Sequence, residues 1–230
     1  MSKRDVGASL NTYVDEGFLP EAVRNYILLL GWSPKDNRER LSLDEMISRF
    51  ELQHVNRKAA SFDLEKCTWL NGEYAREVTG ERLYQLGEAA LQRAGVDISS
   101  FPHSYVRAAL DTCIGKFRIF SELPVYAGFY FRDDISYNPE GVTKHFTPEN
   151  KPRLQAIRHA FAFAEPFEAV TLETTLKTTA AQLGVKPGIL VHPTRLAVTG
   201  SNAGPSLYHL LEIVGKEKVL TRIDRALAQI

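Results

Sequence analysis

The sequence contains little cysteine and no excess of charge of either sign. Its 230 residues include two cysteines, Cys67 and Cys113. They lie far apart, so they fit neither a disulfide framework nor a CxxC metal site, and a reducing compartment is the simplest interpretation. The 28 Lys and Arg residues balance the 28 Asp and Glu residues. No overall field therefore draws the chain to nucleic acid, and such a role would need local basic patches.

Long apolar runs are also missing. The first residues contain no apolar segment of signal-peptide length, and no later segment is long and apolar enough to span a bilayer. These absences predict a soluble, cytoplasmic protein without a membrane partner.

Sequence motifs for nucleotide or metal chemistry are absent as well. The chain has no GxGxxG or GxxxxGK[ST] loop, and its six histidines form no HExxH pair. We therefore expect no metal site and no complete set of catalytic residues.

Helix signals fill most of the chain and predict a mainly α fold in two or three consecutive units. Pro20 suits the first position of a helix that ends at Gly31, and Ser42 and Glu45 have the spacing of a capping box. A further helix starts after Asp63 and is expected to end at an Asn71-Gly72 turn. The only strand candidates are residues 52–55 and 60–62.

Two segments concentrate basic residues and are candidates for binding a polyanion. The alternative interpretation of both is an ordinary solvated helix surface, because acidic residues such as Glu149, Glu217 and Asp224 interrupt them. The first segment carries Lys144, His145, Lys151, Arg153, Arg158 and His159, and the second carries Lys216, Lys218, Arg222 and Arg225.

Several longer motifs occur in an order that resembles bacterial-type glutamyl-tRNA synthetase, a class I aminoacyl-tRNA synthetase. They are MSKRD with GAS, YVDEGFLPEAVRNYILLLGWSP, FDLEKCTWLNGEY and RLAVTGSNAGPSLYHLLEIVGKEKVL. The match begins at the KMSKS-type loop and lacks the upstream catalytic domain. The resemblance thus predicts a C-terminal fragment of a glutamate–tRNA ligase that is inactive by itself.

The resemblance implies a division into three parts. Residues 1–79 would form the KMSKS-type loop and the stem-contact region, and residues 80–138 and 139–230 the two helical subdomains of an α-helix-cage anticodon-binding domain. Ser2, Lys3 and Arg4 would bind ATP in the full-length enzyme, which also uses Mg²⁺. No cofactor is expected on the fragment.

The resemblance also places anticodon-contacting residues. Arg195 would contact anticodon bases, since a planar guanidinium can stack and form paired hydrogen bonds. Gly204, Pro205 and Leu207 would lie beside it, although Pro205 and Leu207 also fit a role in starting and packing a helix. Lys116 and Lys177 occupy positions where relatives carry arginine, and Lys116 also fits a solvated cation at a helix end.

These replacements raise a hypothesis about specificity. Lysine keeps the positive charge of arginine but lacks the planar set of paired N–H donors, so it would discriminate bases less strictly. The parent enzyme would then accept tRNA-Gln as well as tRNA-Glu. The expected partners are tRNA-Glu and the N-terminal catalytic domain, and the expected state is a monomer. Two alternatives stay open: a stand-alone RNA-binding helical module without ligase activity, and a helical scaffold with a protein partner.

Overall fold

The computed structural model describes residues 10–56 and 60–230, and every regular element there is helical. The predicted mainly α fold is therefore confirmed, whereas the strand prediction at residues 52–55 is wrong because Leu52–His54 forms a 3₁₀ turn. Residues 60–62 belong to no regular element. The α-helices are α1 (Leu10–Asp15), α2 (Pro20–Gly31), α3 (Leu43–Arg49), α4 (Leu64–Ala75), α5 (Gly80–Arg93), α6 (His103–Thr112), α7 (Leu123–Ala127), α8 (Pro139–His145), α9 (Asn150–Ala162), α10 (Ala169–Gln182), α11 (Gly188–Thr199), α12 (Leu207–Val214) and α13 (Lys216–Leu227).

The described chain folds as two compact units. The first contains the described residues up to Gly95 together with Ile114–Pro124, and the second contains Val96–Cys113 and Val125–Ile230. The three-part division at residues 79 and 138 stays a prediction.

A buried asparagine links the elements of the first unit. Asn25, on α2, donates from Nδ2 to the carbonyl oxygen of Glu39 at 3.0 Å. Its Oδ1 accepts from the Leu41 amide at 2.8 Å and from the Tyr74 hydroxyl at 2.7 Å. Because a buried amide without partners would destabilise the fold, these bonds fix α2, the following loop and α4 together.

Helix α4 continues through the position where the sequence predicts a turn. Asn71 is fully buried, and its Oδ1 accepts from the Leu19 amide at 2.7 Å while its Nδ2 donates to the Arg118 carbonyl at 2.6 Å. A Cβ on Gly72 would lie 3.3 Å from Cγ of Arg118. The Asn-Gly pair therefore serves close packing inside a helix, and the helix ends only at Ala75.

The second unit is a helical bundle built mainly from α9 to α13. Helix α11 packs against α8, α9, α12 and α13, so it occupies the centre of the unit. Most of its residues between Leu190 and Thr199 are buried. An element this enclosed holds the side chains at its surface in fixed positions.

The end of α11 is held by a glycine that no other residue could replace without movement. Gly200 adopts φ of 75°, and a Cβ there would come within 2.2 Å of the Ser136 carbonyl oxygen. Its own carbonyl accepts from the Asn138 amide at 2.8 Å. The left-handed C-cap thus ends the helix and directs the chain into the loop at residues 201–206.

Candidate nucleic-acid interface

Arg195 projects from α11 toward the loop that follows the helix. Its Nη1 donates to the Pro205 carbonyl oxygen at 2.6 Å, and the guanidinium is half-buried. Burial lowers the pKa of Arg195, and the nearby hydroxyl of Tyr130 opposes that shift. Among the residues that the structure describes, no carboxylate forms an ion pair with this guanidinium. The remaining N–H donors are therefore available to a ligand.

The predicted neighbours of Arg195 separate into two groups. Gly204 lies against the guanidinium, since a Cβ there would be 3.4 Å from Nη1 of Arg195. Pro205 contributes its carbonyl oxygen to Arg195, but its ring is buried. Leu207 is only 3% exposed and packs at the start of α12. The packing interpretation that the sequence left open therefore describes the side chains of Pro205 and Leu207 in this structure.

Lys177 lies on the exposed face of α10 and adjoins an aromatic residue that the sequence reasoning missed. Its Nζ forms an ion pair with Oε1 of Glu173 at 2.6 Å, one helical turn away. The aromatic residue is Tyr208, whose phenol is half-buried. Burial raises the pKa of Tyr208, the nearby Glu173 carboxylate raises it further, and the nearby Lys177 lowers it. An aromatic residue at the start of a helix, directly after a predicted RNA-contacting loop, is the signal that could have identified Tyr208.

Lys116 belongs to the first unit, whereas Arg195 and Lys177 belong to the second. It follows Gly115, which adopts φ of 76°, and its side chain is exposed. No carboxylate in residues 10–56 or 60–230 forms an ion pair with it. The structure thus leaves this lysine free to contact a ligand or solvent.

The basic residues of α13 do not form a free cationic surface. Arg222 is 1% exposed and donates to the carbonyl oxygens of Val198, Phe129 and Arg132 at 2.7, 2.8 and 2.5 Å. The other three residues of this segment form ion pairs: Lys216 with Glu165, Lys218 with Asp133, and Arg225 with Asp134. Of the two interpretations that the sequence left open, the solvated helix surface therefore describes Lys216, Lys218 and Arg225, whereas Arg222 is buried and structural.

The first basic segment is divided by the fold. Arg158 is removed from it by a two-bond ion pair with Asp224, at 2.9 and 2.8 Å. Other members line an open cavity of about 440 Å³, which we call the α8–α11 pocket. Its polar lining residues are Lys144, His145, Asn150, Arg153, Lys186 and His192.

The predicted ATP-binding residues Ser2, Lys3 and Arg4 lie outside the described residues. In the part of the chain that the structure does describe, no three His, Cys, Asp or Glu side chains are grouped to hold a metal ion. No helix there has the length and apolar character needed to cross a bilayer.

Comparison with protein families assigns both parts of the chain. The family model described as "Anticodon binding domain" matches residues 82–227. A second model, "tRNA synthetases class I (E and Q), catalytic domain", matches residues 1–69 and therefore ends within α4.

Curated relatives extend this similarity over nearly the whole chain. Glutamate–tRNA ligase 2 of Caldicellulosiruptor saccharolyticus is 35% identical over 98% of this chain and 47% of its own length. Glutamate–tRNA ligase of Moorella thermoacetica is 37% identical over 98% of this chain and 47% of its own length. The chain thus spans about half the length of these relatives.

Solved structures show the same similarity in three dimensions. The crystal structure of a glutamate tRNA ligase from Elizabethkingia meningosepticum, in complex with its amino acid, matches with a TM-score of 0.81 and 29% identity. The match covers 94% of this chain and 42% of that one.

Proposed function

The chain belongs to the anticodon binding domain family, and from this premise we propose that it is the tRNA-binding part of a glutamate–tRNA ligase. The observation that carries the proposal is the position of Arg195, a half-buried guanidinium without a carboxylate partner among the described residues. Gly204 lies against this guanidinium, and Tyr208 lies near Lys177, on the neighbouring helices α12 and α10. We call these four residues the Arg195 surface, which would receive the anticodon bases.

The electrostatics of Arg195 favour an RNA ligand. Burial lowers the pKa of this guanidinium, which means that the surroundings compensate its charge incompletely. A base edge or a phosphate would supply the missing acceptors and the missing charge. Because Nη1 already donates to the Pro205 carbonyl oxygen, the guanidinium is oriented before the RNA binds, and little side-chain entropy is lost on binding.

The neighbouring residues complement the guanidinium. Gly204 has no side chain that would cover Nη1. Tyr208 offers a half-buried ring on which a base can stack, and stacking of this kind contributes about 1–3 kcal/mol per base. Lys177 adds a positive charge, and an RNA phosphate would have to replace Glu173, which pairs with its Nζ in the free chain. These three residues and Arg195 provide the donors, the ring and the cation that single-stranded RNA recognition uses.

In the parent enzyme, this chain would hold tRNA-Glu while the catalytic domain activates glutamate with ATP and Mg²⁺ and transfers it to the tRNA. Ser2, Lys3 and Arg4 would assist ATP binding there. The chain by itself would be a monomer without ligase activity. The family resemblance places Lys116 and Lys177 at positions of anticodon-contacting arginines, and the hypothesis that tRNA-Gln is also accepted rests on that resemblance.

A titration of the chain with tRNA-Glu tests this proposal. Wild-type binding is expected to be weak and to decrease as salt increases, because phosphate contacts release counterions. Arg195→Ala should weaken binding about tenfold or more, as expected for losing hydrogen bonds from a charged donor. Arg158→Ala is the matched control, because Asp224 already occupies that guanidinium.

Two results would count against the proposal. Affinity unchanged by Arg195→Ala would remove Arg195 from the interface. Equal affinity for tRNA-Glu and an unrelated RNA of the same length would remove anticodon recognition. The specificity hypothesis is tested separately, by aminoacylation kinetics of the full-length enzyme with tRNA-Glu and tRNA-Gln. A large preference for tRNA-Glu that is the same in the wild type and in Lys116→Arg would reject it.

A further inference from the structure

The α8–α11 pocket is a second cationic feature of the bundle, separate from the Arg195 surface. Three segments contribute to it: the end of α8, the first turn of α9, and the beginning of α11 together with Lys186, which lies two residues before that helix. Sequence patterns placed only Lys144, His145 and Arg153 in this region, and the fold adds Lys186 and His192 from elsewhere in the chain.

The lining of the pocket is basic and contains no carboxylate. Two lysines, an arginine and two histidines line it, although the whole chain has as many acidic residues as Lys and Arg. Within the described ranges, Lys144, Arg153 and Lys186 form no ion pair. An uncompensated cluster of this kind attracts an anion and repels a metal ion.

The pocket is also held in shape before any ligand binds. Asn150 is 9% exposed, and its Nδ2 donates to the His145 carbonyl oxygen at 3.0 Å. Its Oδ1 accepts from Nη1 of Arg153 at 2.8 Å, which fixes that guanidinium at the pocket wall. The rings of His145 and His192 lie parallel, with centroids 5.5 Å apart.

His145 is affected both by burial and by its basic neighbours in the pocket. Burial lowers the pKa of His145, and electrostatic interactions with His192 and Lys144 lower it further. The imidazole is thus disfavoured as a cation in the free protein. An anion in the pocket would offset the repulsion between these groups.

The position of the pocket relates it to the RNA interface. His192 lines the pocket and Arg195 follows three residues later on α11, so the two side chains lie on neighbouring parts of one helix face. The rise between them is about 4.5 Å along the axis. One RNA strand can therefore reach both places.

We propose that the α8–α11 pocket binds a phosphate of the RNA backbone adjoining the anticodon, with Lys144, Arg153 and Lys186 as the principal contacts. The inference rests on the proposed function, because it takes the same RNA as its ligand. The shared chemistry is a phosphate group, which free inorganic phosphate also carries, and the experiment separates these two sources.

Salt-dependent binding of tRNA-Glu to the chain is the test. Lys144→Ala and Lys186→Ala change exposed side chains, so the fold should be retained, as circular dichroism can verify. The double variant should bind roughly tenfold more weakly. The slope of log affinity against log salt should become shallower by about 0.7 for one lost single-strand phosphate contact. Lys151→Ala is the matched control, since Lys151 lies on α9 but does not line the pocket.

The outcomes distinguish this inference from the proposed function. If tRNA-Glu binding depends on Arg195 but is unchanged in the double variant, the pocket proposal is wrong and the proposed function stands. If inorganic phosphate binds to the wild type but not to the double variant, while both bind tRNA equally, the pocket is a site for free phosphate and the RNA proposal is overturned. Loss of affinity and of slope in the double variant, with Lys151→Ala unaffected, supports it.

Discussion

Nη1 of the buried Arg222 donates to the carbonyl oxygen of Val198 at 2.7 Å, which ties α13 to α11 at the centre of the second unit. Two further carbonyl oxygens, those of Phe129 and Arg132, accept from Nη2. Three carbonyl oxygens thus accept from one guanidinium, which links α13 to the helix that bears Arg195.

Arg222→Ala is therefore expected to destabilise the chain by about 3 kcal/mol or more, because it leaves these carbonyls without donors and opens a cavity. Arg222→Lys should restore only part of the loss, since an ammonium cannot span all three acceptors. Denaturant unfolding followed by circular dichroism measures both. The control is Arg225→Ala, which removes an exposed ion pair with Asp134 and should cost less than about 1 kcal/mol. A similar small cost for Arg222→Ala would refute the structural role.

The environment of His145 predicts a pH dependence of stability. Burial, His192 and Lys144 lower its pKa from the ordinary 6.5, so the unfolded chain binds this proton more readily than the folded one. Stability contributed by the neutral imidazole is fully present above 6.5 and is lost as the pH falls through 6.5 toward the lower folded value.

The free energy of unfolding should accordingly decrease between about pH 7 and pH 5.5, before most carboxylates titrate. His145→Gln should reduce this decrease, because it removes the imidazole whose pKa the fold lowers. Unfolding curves at several pH values decide the matter. An equally steep pH dependence in the His145 variant would show that other groups cause it.

Tyr208 gives a prediction about RNA affinity that is separate from charge. If a base stacks on its ring, Tyr208→Ala should weaken tRNA-Glu binding by about 1–3 kcal/mol, and Tyr208→Phe should bind nearly as the wild type does. The salt slope should stay the same in both, because no phosphate contact is lost. Equal losses in the two variants would mean that the hydroxyl, rather than the ring, is used.

The fold class could be predicted because local signals and tertiary structure agree over most of the chain. Pro20, the Ser42–Glu45 capping box and Asp63 all begin helices where expected, and the order of the motifs identified glutamyl-tRNA synthetase as the related family, which the comparisons confirmed. The prediction of a turn at Asn71-Gly72 was wrong because contacts with Leu19 and Arg118 select these two residues for close packing inside a helix.

Candidate site residues were harder to predict, since sequence shows charge but not its partner. Arg222 reads as a surface cation at helical spacing, and only the packing of α13 on α11 reveals its burial. Conversely, the sequence did not indicate that Lys186 and His192 line the same pocket as Lys144, because only the packing of α11 against α8 brings these residues together. The roles of Arg195, Lys177, Lys116 and the loop residues stay predictions.

Chemical footprinting of tRNA-Glu tests the central claim most directly, because it reports which nucleotides the chain covers. Wild-type chain should protect the anticodon bases, and Arg195→Ala, at a concentration that gives equal occupancy, should lose that protection while retaining contacts elsewhere on the tRNA. Unprotected anticodon bases at saturating wild-type chain, or protection identical in the two proteins, would contradict the account.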